Sequence, residues 1–240
     1  MTRAARLALI LWVLLAGGMA HAACPAAGAT ISISRDDPEP VVSTVPMEAL
    51  RGQMQAVAPR GPAAQRTSDA HRIASTQRAR DEHLGVTASR VEWRMELAAR
   101  YLREADGRVC AVADRVTIVL AHVEHAIRIA EEIPPQGCLW REVLAHEQRH
   151  VAVNRATLAQ AEQALRGAVT EWARRATARA ANAEAATGQL QAGLRQAVEP
   201  HLAAMRRARL DGHGRIDTAA EYDRLARICP GDQRRLPPLR

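Results

Sequence analysis

Apolar and polar positions alternate through the first half of this chain, and a helical period takes over in the second. Thr30-Ile31-Ser32-Ile33-Ser34 alternates and predicts a short strand, which Asp36-Asp37-Pro38-Glu39-Pro40 ends. Met47, Leu50, Met54 and Val57 fall at helical spacing, and Pro59-Arg60-Gly61-Pro62 stops the helix they predict. From Thr67 to His83 the chain is polar and weakly patterned, the mark of a loop or an exposed helix. Val91, Trp93, Met95 and Leu97 interleave with Glu92, Arg94 and Glu96, which predicts a strand with one buried face. Asp106-Gly107 is a turn signal, and the β-branched run from Val109 to Val123 predicts an antiparallel partner strand. A third strand is expected through Ile127 and Ile129, closed by Pro134-Pro135-Gln136-Gly137.

From Leu139 to about Leu210 the sequence is Ala-rich, with few helix breakers. A single rod of that length would run to about 100 Å, too long for a compact domain of this size, so a helical hairpin is expected. Its turn falls in the soft stretch from Ala180 to Gly188, near Asn182, and Pro200 is tolerated as a kink. Trp140, Val143, Leu144, Leu158, Leu165, Val169 and Trp172 read as core positions of the first helix. The pairs Arg174-Arg175 and Arg206-Arg207 read as solvated faces. The pattern as a whole predicts an α+β fold: a small antiparallel sheet of three to four strands followed by a long helical hairpin. The sheet part covers about 30–135, the helical part about 139–213, and a tail 214–240, all within a single domain over 23–240.

The ends and the composition bound where such a chain works. Arg3 and Arg6 precede an unbroken apolar run from Leu7 to Ala16, and Ala20-His21-Ala22 completes a cleavage site, so residues 1–22 read as a secretory signal peptide. The run is too short for a permanent membrane span, and nothing later is apolar enough for one. His21 suits a lipidation signal poorly, so Cys24 is not read as a lipid anchor. A soluble periplasmic or secreted product is expected. The formal charge of +7 comes with no Lys and no Phe but abundant Ala and Arg, a composition bias that argues little for nucleic-acid binding. Cys24, Cys110, Cys138 and Cys229 all survive cleavage, and an even number in an exported chain points to two disulfides. Cys110–Cys138 with Cys24–Cys229 is the expected pairing, one closing a local loop and the other tying the ends together.

The chemistry concentrates in His146-Glu147-Gln148-Arg149-His150, an HExxH motif inside the first long helix. Residues i and i+4 of a helix lie one above the other, so His146 and His150 can grip one zinc ion. Glu147 stands beside the pair, placed to accept a proton from an attacking water. Strands followed by a helix with this motif form the ordering of a minimal zincin-like core. His122 and His125 lie on a predicted strand, where an odd spacing points them to opposite faces, and they form no inverted HxxEH motif.

Here the chain resembles an exported bacterial family of unknown function whose members are predicted to be zinc-dependent proteases. The resemblance runs from about Ile31 to His213 and rests on Leu50, Met54, Gly61-Pro62, the Trp93 strand, Cys110 and the HExxH motif. Members also end a second helix in a His-Gly pair preceded by Tyr-Asp. Asp211-Gly212-His213-Gly214 supplies the His-Gly here, with Arg207-Ala208 in place of Tyr-Asp.

A catalytic zinc needs a third protein ligand. The extended metzincin pattern is excluded, because Val153 and Ala156 stand where it needs Gly and His. His150 and His213 are 63 residues apart, and a hairpin folded near Asn182 brings them level, which makes His213 the first choice. Asp211, Glu221, Asp223 and Glu184 are the alternatives, the last requiring a turn at Gly167 instead. The expected function is an exported zinc peptidase acting on peptides or proteins. The competing reading is a non-enzymatic exported helical scaffold whose HExxH is degenerate or only binds metal.

Overall fold

The computed structural model describes residues 24–50 and 84–237. The proposed signal peptide, most of the helix expected at 47–57 and the loop expected at 67–83 lie outside the described residues. Among the described residues no helix is long and apolar enough to cross a membrane.

Five strands form one sheet around a single long strand, β4 (Val109–Ala130). β3 (Gly85–Arg103) runs antiparallel along one edge of β4 for its whole length. Three short strands share the other edge end to end. β5 (Thr177–Ala180) pairs antiparallel with Val109–Val112, β1 (Thr30–Asp36) parallel with Arg115–Ala121, and β2 (Val41–Val45) parallel with Ala126–Ala130. β1 and β2 are two lengths of one edge strand, interrupted between 36 and 41 where Pro38 and Pro40 have no N–H to give the ladder.

The small antiparallel sheet expected from the pattern is therefore overturned. The sheet is mixed and five-stranded, and what read as two strands on either side of Glu124 is one 22-residue strand. Continuity survives there because Val123 is an extra residue: Arg90 pairs with Glu124 and Val91 with His122, leaving Val123 to bulge outward. The bulge switches the parity of the buried face. Val116, Ile118 and Leu120 point into the core before it, and Ile127 and Ile129 after it. The expected turn at Asp106-Gly107 does join β3 to β4, with Gly107 at φ +86° and the Arg108 N–H donating to Asp106 Oδ1 at 2.9 Å.

The second half is built on two long helices, α1 (Cys138–Ala173) and α2 (Ala183–Ile216), followed by α3 (Ala219–Arg227) and the single turn α4 (Pro230–Gln233). A simple helical hairpin is also overturned, since the chain returns to the sheet as β5 between the two helices. Thr177-Ala178-Arg179-Ala180 reads as helix locally because Ala and Arg favour helices. In the fold, Ala176, Ala178 and Ala180 bury their small side chains, and the edge of β4 supplies the pairing. Asn182 then caps α2, its side-chain oxygen accepting from the Ala185 N–H at 2.8 Å. Pro200 lies inside α2.

Both helices cover the same face of the sheet. Ile33, Val91, Val116, Ile118 and Leu120 pack against Leu158, Leu165 and Val169 of α1 and Leu194, Val198 and Leu202 of α2. A second cluster joins Ile127, Ile129 and Ile133 to Leu139, Val143 and Val151. Of the expected core positions of α1, Val143, Leu158, Leu165 and Val169 are buried, and Trp140, Leu144 and Trp172 pack partly buried at the cluster edges. The disulfides are Cys24–Cys110 and Cys138–Cys229, with Cα separations of 5.6 and 5.7 Å, so the expected pairing is corrected. Cys110 lies at the start of β4, whereas Cys138 opens α1 at the opposite end of the strand, where Cys229 meets it.

Candidate metal centre

The first half of α1 turns His146, Glu147 and His150 inward, and all three are buried. The end of α2 and the start of α3 close over them. Between these helices Asp217 leaves helical geometry at φ −83°, ψ 63°, and Thr218 caps α3 by accepting from the Glu221 N–H at 3.2 Å. That break aims the Asp217 carboxylate at the two histidines. His146 Nε2, His150 Nε2 and Asp217 Oδ1 are mutually 3.2 Å apart.

An equilateral triangle of that size is one face of a tetrahedron whose centre lies about 2.0 Å from each corner, a metal–nitrogen and metal–oxygen bond length. His146, His150 and Asp217 thus form a group able to hold a metal ion. Asp217 Oδ2 supports the fit, being buried with no hydrogen-bond partner among the described residues.

The surrounding groups orient these donors. Glu221 Oε1 lies 3.3 Å from His146 Nδ1, and a donated Nδ1–H there leaves Nε2 bare toward the triangle. Glu221 is itself held by Arg149 and by Arg224, whose Nε donates to Oε2 at 2.9 Å, and the Arg149 guanidinium also lies 3.1 Å from His146 Nδ1. Arg224 reaches further, donating to Glu142 on α1 at 2.7 Å. On the other side, His150 Nδ1 and His213 Nδ1 are 2.7 Å apart, and His213 Nε2 is 3.0 Å from Asn154 Oδ1. Buried Arg209 donates to the same Asn154 oxygen at 3.0 Å and to Ser89 Oγ at 3.0 Å. Because Asn154 Oδ1 can only accept, His213 donates from Nε2 and accepts at Nδ1. His150 then donates from Nδ1 and keeps the Nε2 lone pair for the triangle.

The geometry places His213, the expected third ligand, outside the triangle. His213 comes level with His150 but meets its outer nitrogen, and Asp217, one helical turn later, fills the third corner. Among the alternatives, Glu221 orients His146, Asp211 and Asp223 are exposed, and Glu184 lies at the far end of α2. Asp217 was legible only as the residue before a Thr-x-x-Glu capping box, Thr218 to Glu221, which marks where α2 must stop.

Charge follows the contacts. Burial alone would push the Asp217 carboxyl up, but the close imidazoles of His146 and His150 and the hydrogen bond from Tyr222 hold it well below the usual carboxylate range. Glu221 is lowered to about 2, chiefly by Arg224. Burial pushes Glu147 up against the opposing pull of His150 and of Thr87, whose Oγ1 donates to Glu147 Oε2 at 2.7 Å. Tyr222 Oη donates to Asp217 Oδ1 at 2.8 Å and is held protonated by burial and by that carboxylate.

Two glycines let the backbone come this close. A Cβ on Gly85 of β3 would stand 2.6 Å from Val143 Cγ1 and 2.9 Å from Glu147 Oε1. One on Gly212 of α2 would stand 2.6 Å from Val153 Cγ1. No protein-family model, curated protein or solved structure matches the chain.

Proposed function

We propose that this chain is an exported zinc-dependent peptidase, akin to the bacterial family of predicted zinc-dependent proteases that its sequence resembles. One observation carries the reading: the 3.2 Å triangle of His146 Nε2, His150 Nε2 and Asp217 Oδ1, with Glu147 on the same helix turn. Two imidazoles and a carboxylate form a donor set that suits zinc and leaves a position open for substrate. Bound zinc supplies Lewis acidity, polarising a carbonyl and bringing the ionisation of water toward neutral pH. Glu147 takes the proton of the attacking water and returns it to the leaving amine, so that an amide bond is exchanged for a carboxylate and an amine. Burial raises the basicity of this carboxylate, and the Thr87 hydroxyl holds one of its oxygens in place.

The two disulfides support an oxidising compartment, the periplasm or the exterior, reached by cleavage after Ala22. The substrate class is peptide or protein. Glu147→Ala is expected to cut hydrolysis of a fluorogenic peptide mixture by a factor of about 10²–10⁴ while zinc content stays at the parental level. His150→Ala is expected to lose both. Parental hydrolysis in Glu147→Ala would remove Glu147 as the base. A parent that takes up no metal from a zinc-supplied buffer would end the peptidase reading and leave an exported helical scaffold.

A further inference from the structure

A second group of donors stands apart from the HExxH centre, at the level where the sheet is interrupted on both sides. The edge strand breaks between β1 and β2, so His122 to His125 of β4 have no ladder partner on that edge, β1 ending at Ala121 and β2 starting at Ala126. On the opposite edge the Val123 bulge falls at the same level. Two residues three apart on a regular strand face opposite sides. The extra residue cancels that alternation, and His122 and His125 both point to the helix-covered face, buried, with ring centroids 4.4 Å apart and planes 27° from parallel. The sequence expectation that they face opposite ways is therefore corrected, and the bulge is the reason.

The broken edge strand supplies what lies over them. Asp37 Oδ1 is 2.9 Å from His122 Nδ1, and the Pro38 carbonyl oxygen is 3.2 Å from His125 Nδ1. A carbonyl can only accept, and an ionised carboxylate likewise, so both imidazoles donate from Nδ1. Each is thereby fixed in the tautomer whose Nε2 carries a lone pair. Both Nε2 atoms are buried and have no hydrogen-bond partner among the described residues, and the two histidine side chains are essentially inaccessible. Two bare imidazole nitrogens on stacked rings, each oriented through its other nitrogen by a carboxylate or a carbonyl, repeat the arrangement by which proteins orient metal-binding histidines.

The nearby charges are mixed. Asp37 and Glu39 face Arg155 of α1, which lies 3.6 Å from Asp37 Oδ1 and 2.8 Å from Glu39 Oε1. Arg209, reaching Ser89 opposite His125, is felt by both imidazoles. A site here selects a cation that bonds strongly to nitrogen over one held by charge alone.

We propose that Asp37, His122 and His125 form a second metal site, independent of the HExxH centre, for a borderline divalent transition-metal ion such as zinc, nickel or copper. His122 Nε2 and His125 Nε2 are the donors, and Asp37 orients His122 and offsets charge. The ion would be held by β4, with the Asp37 carboxylate and the Pro38 carbonyl of the interrupted edge strand fixing the two imidazoles that bind it.

Metal counting on the mature full-length protein tests this. After equilibration with zinc and removal of excess, elemental mass spectrometry is expected to give two zinc per chain in the parent. One is expected in His146→Ala/His150→Ala, one in His122→Gln/His125→Gln, and none when all four are changed. Cobalt absorption in the His146→Ala/His150→Ala background reports the second site alone, where Asp37→Asn is expected to weaken binding by about 10–100-fold. Far-UV circular dichroism must match the parent in each variant, and His125→Gln alone serves if the double variant fails to fold. An unchanged count in His122→Gln/His125→Gln, or no cobalt signal in the HExxH-null background, would overturn the proposal and leave a histidine pair satisfied by a buried water. Loss of metal confined to the HExxH variants would leave the peptidase reading intact, so the two proposals fail separately.

Discussion

Asp217 and His213 divide between them what the sequence assigns to His213 alone. Both lie near the end of α2 one turn apart, but they meet different nitrogens of the site: Asp217 Oδ1 faces the Nε2 pair, and His213 Nδ1 faces His150 Nδ1. Their substitutions should therefore differ in kind. Asp217→Asn removes the charged donor and is expected to weaken zinc binding by at least about 10²-fold, whereas His213→Ala, which frees only the orienting nitrogen, is expected to cost about 10–100-fold. Competition against a chromophoric chelator measures both, and a larger loss for His213→Ala would restore His213 as the ligand. Since imidazole donors must be unprotonated, zinc affinity should fall as the pH drops below the imidazole range. His146, Glu147 and His150 were readable from sequence because their geometry lies within one helix, where spacing dictates direction. Asp217 was not, because a residue at a helix break has its side-chain direction set by the tertiary packing of α3, and no periodicity encodes that.

Among the elements, close approach decides more than propensity. Gly85 and Gly212 each sit where a Cβ would press into a branched side chain, Val143 and Val153, on the helix that bears the motif. Gly167 and Gly188, in the same two helices, face nothing within 4 Å. Alanine is therefore expected to destabilise at Gly85 and Gly212 by about 1–3 kcal/mol through overpacking. At Gly167 and Gly188 it should stabilise by about 0.5–1 kcal/mol, because alanine loses less freedom on entering a helix. Urea denaturation of the four variants separates the classes; equal effects at all four positions would show that the contacts at Gly85 and Gly212 relax freely. The strand around Trp93 was legible because apolar and charged residues alternate along it, and the one from Val109 because a turn signal leads into a β-branched run. Their partners were not. Alternation in β1 is the same whether its neighbour runs parallel or antiparallel, and the Val123 bulge turns one 22-residue strand into two out-of-phase patterns. β5 stayed hidden because alanine at every second position is also what a helix tolerates.

Across the whole molecule, the two cross-links tie different parts of the chain to the frame. Cys24–Cys110 fastens the segment before β1 to the start of β4, and Cys138–Cys229 fastens the first residue of α1 to the segment after α3. They close spans of 86 and 91 residues, so loop entropy alone predicts nearly equal stabilisation, about 4–5 kcal/mol each. Their effects on the site should be unequal. α3 carries Glu221 and Tyr222, which orient His146 and Asp217, and few other links hold it to α1: Arg224 to Glu142, Arg149 to Glu221, and Asp232 of α4 accepting from the Leu139 N–H at 3.0 Å. Opening Cys138–Cys229 removes the covalent member of that set and lets α3 swing from the triangle while the sheet and both long helices stay packed. Cys138→Ser/Cys229→Ser is therefore expected to lose about tenfold or more in zinc affinity, against little change for Cys24→Ser/Cys110→Ser, although denaturant midpoints should fall similarly in both. Equal affinity losses in the two double variants would mean that global stability, rather than the tethering of α3, limits metal binding. An affinity loss confined to the Cys138→Ser/Cys229→Ser protein would identify α3 as the movable wall of the metal centre, held against α1 by that disulfide.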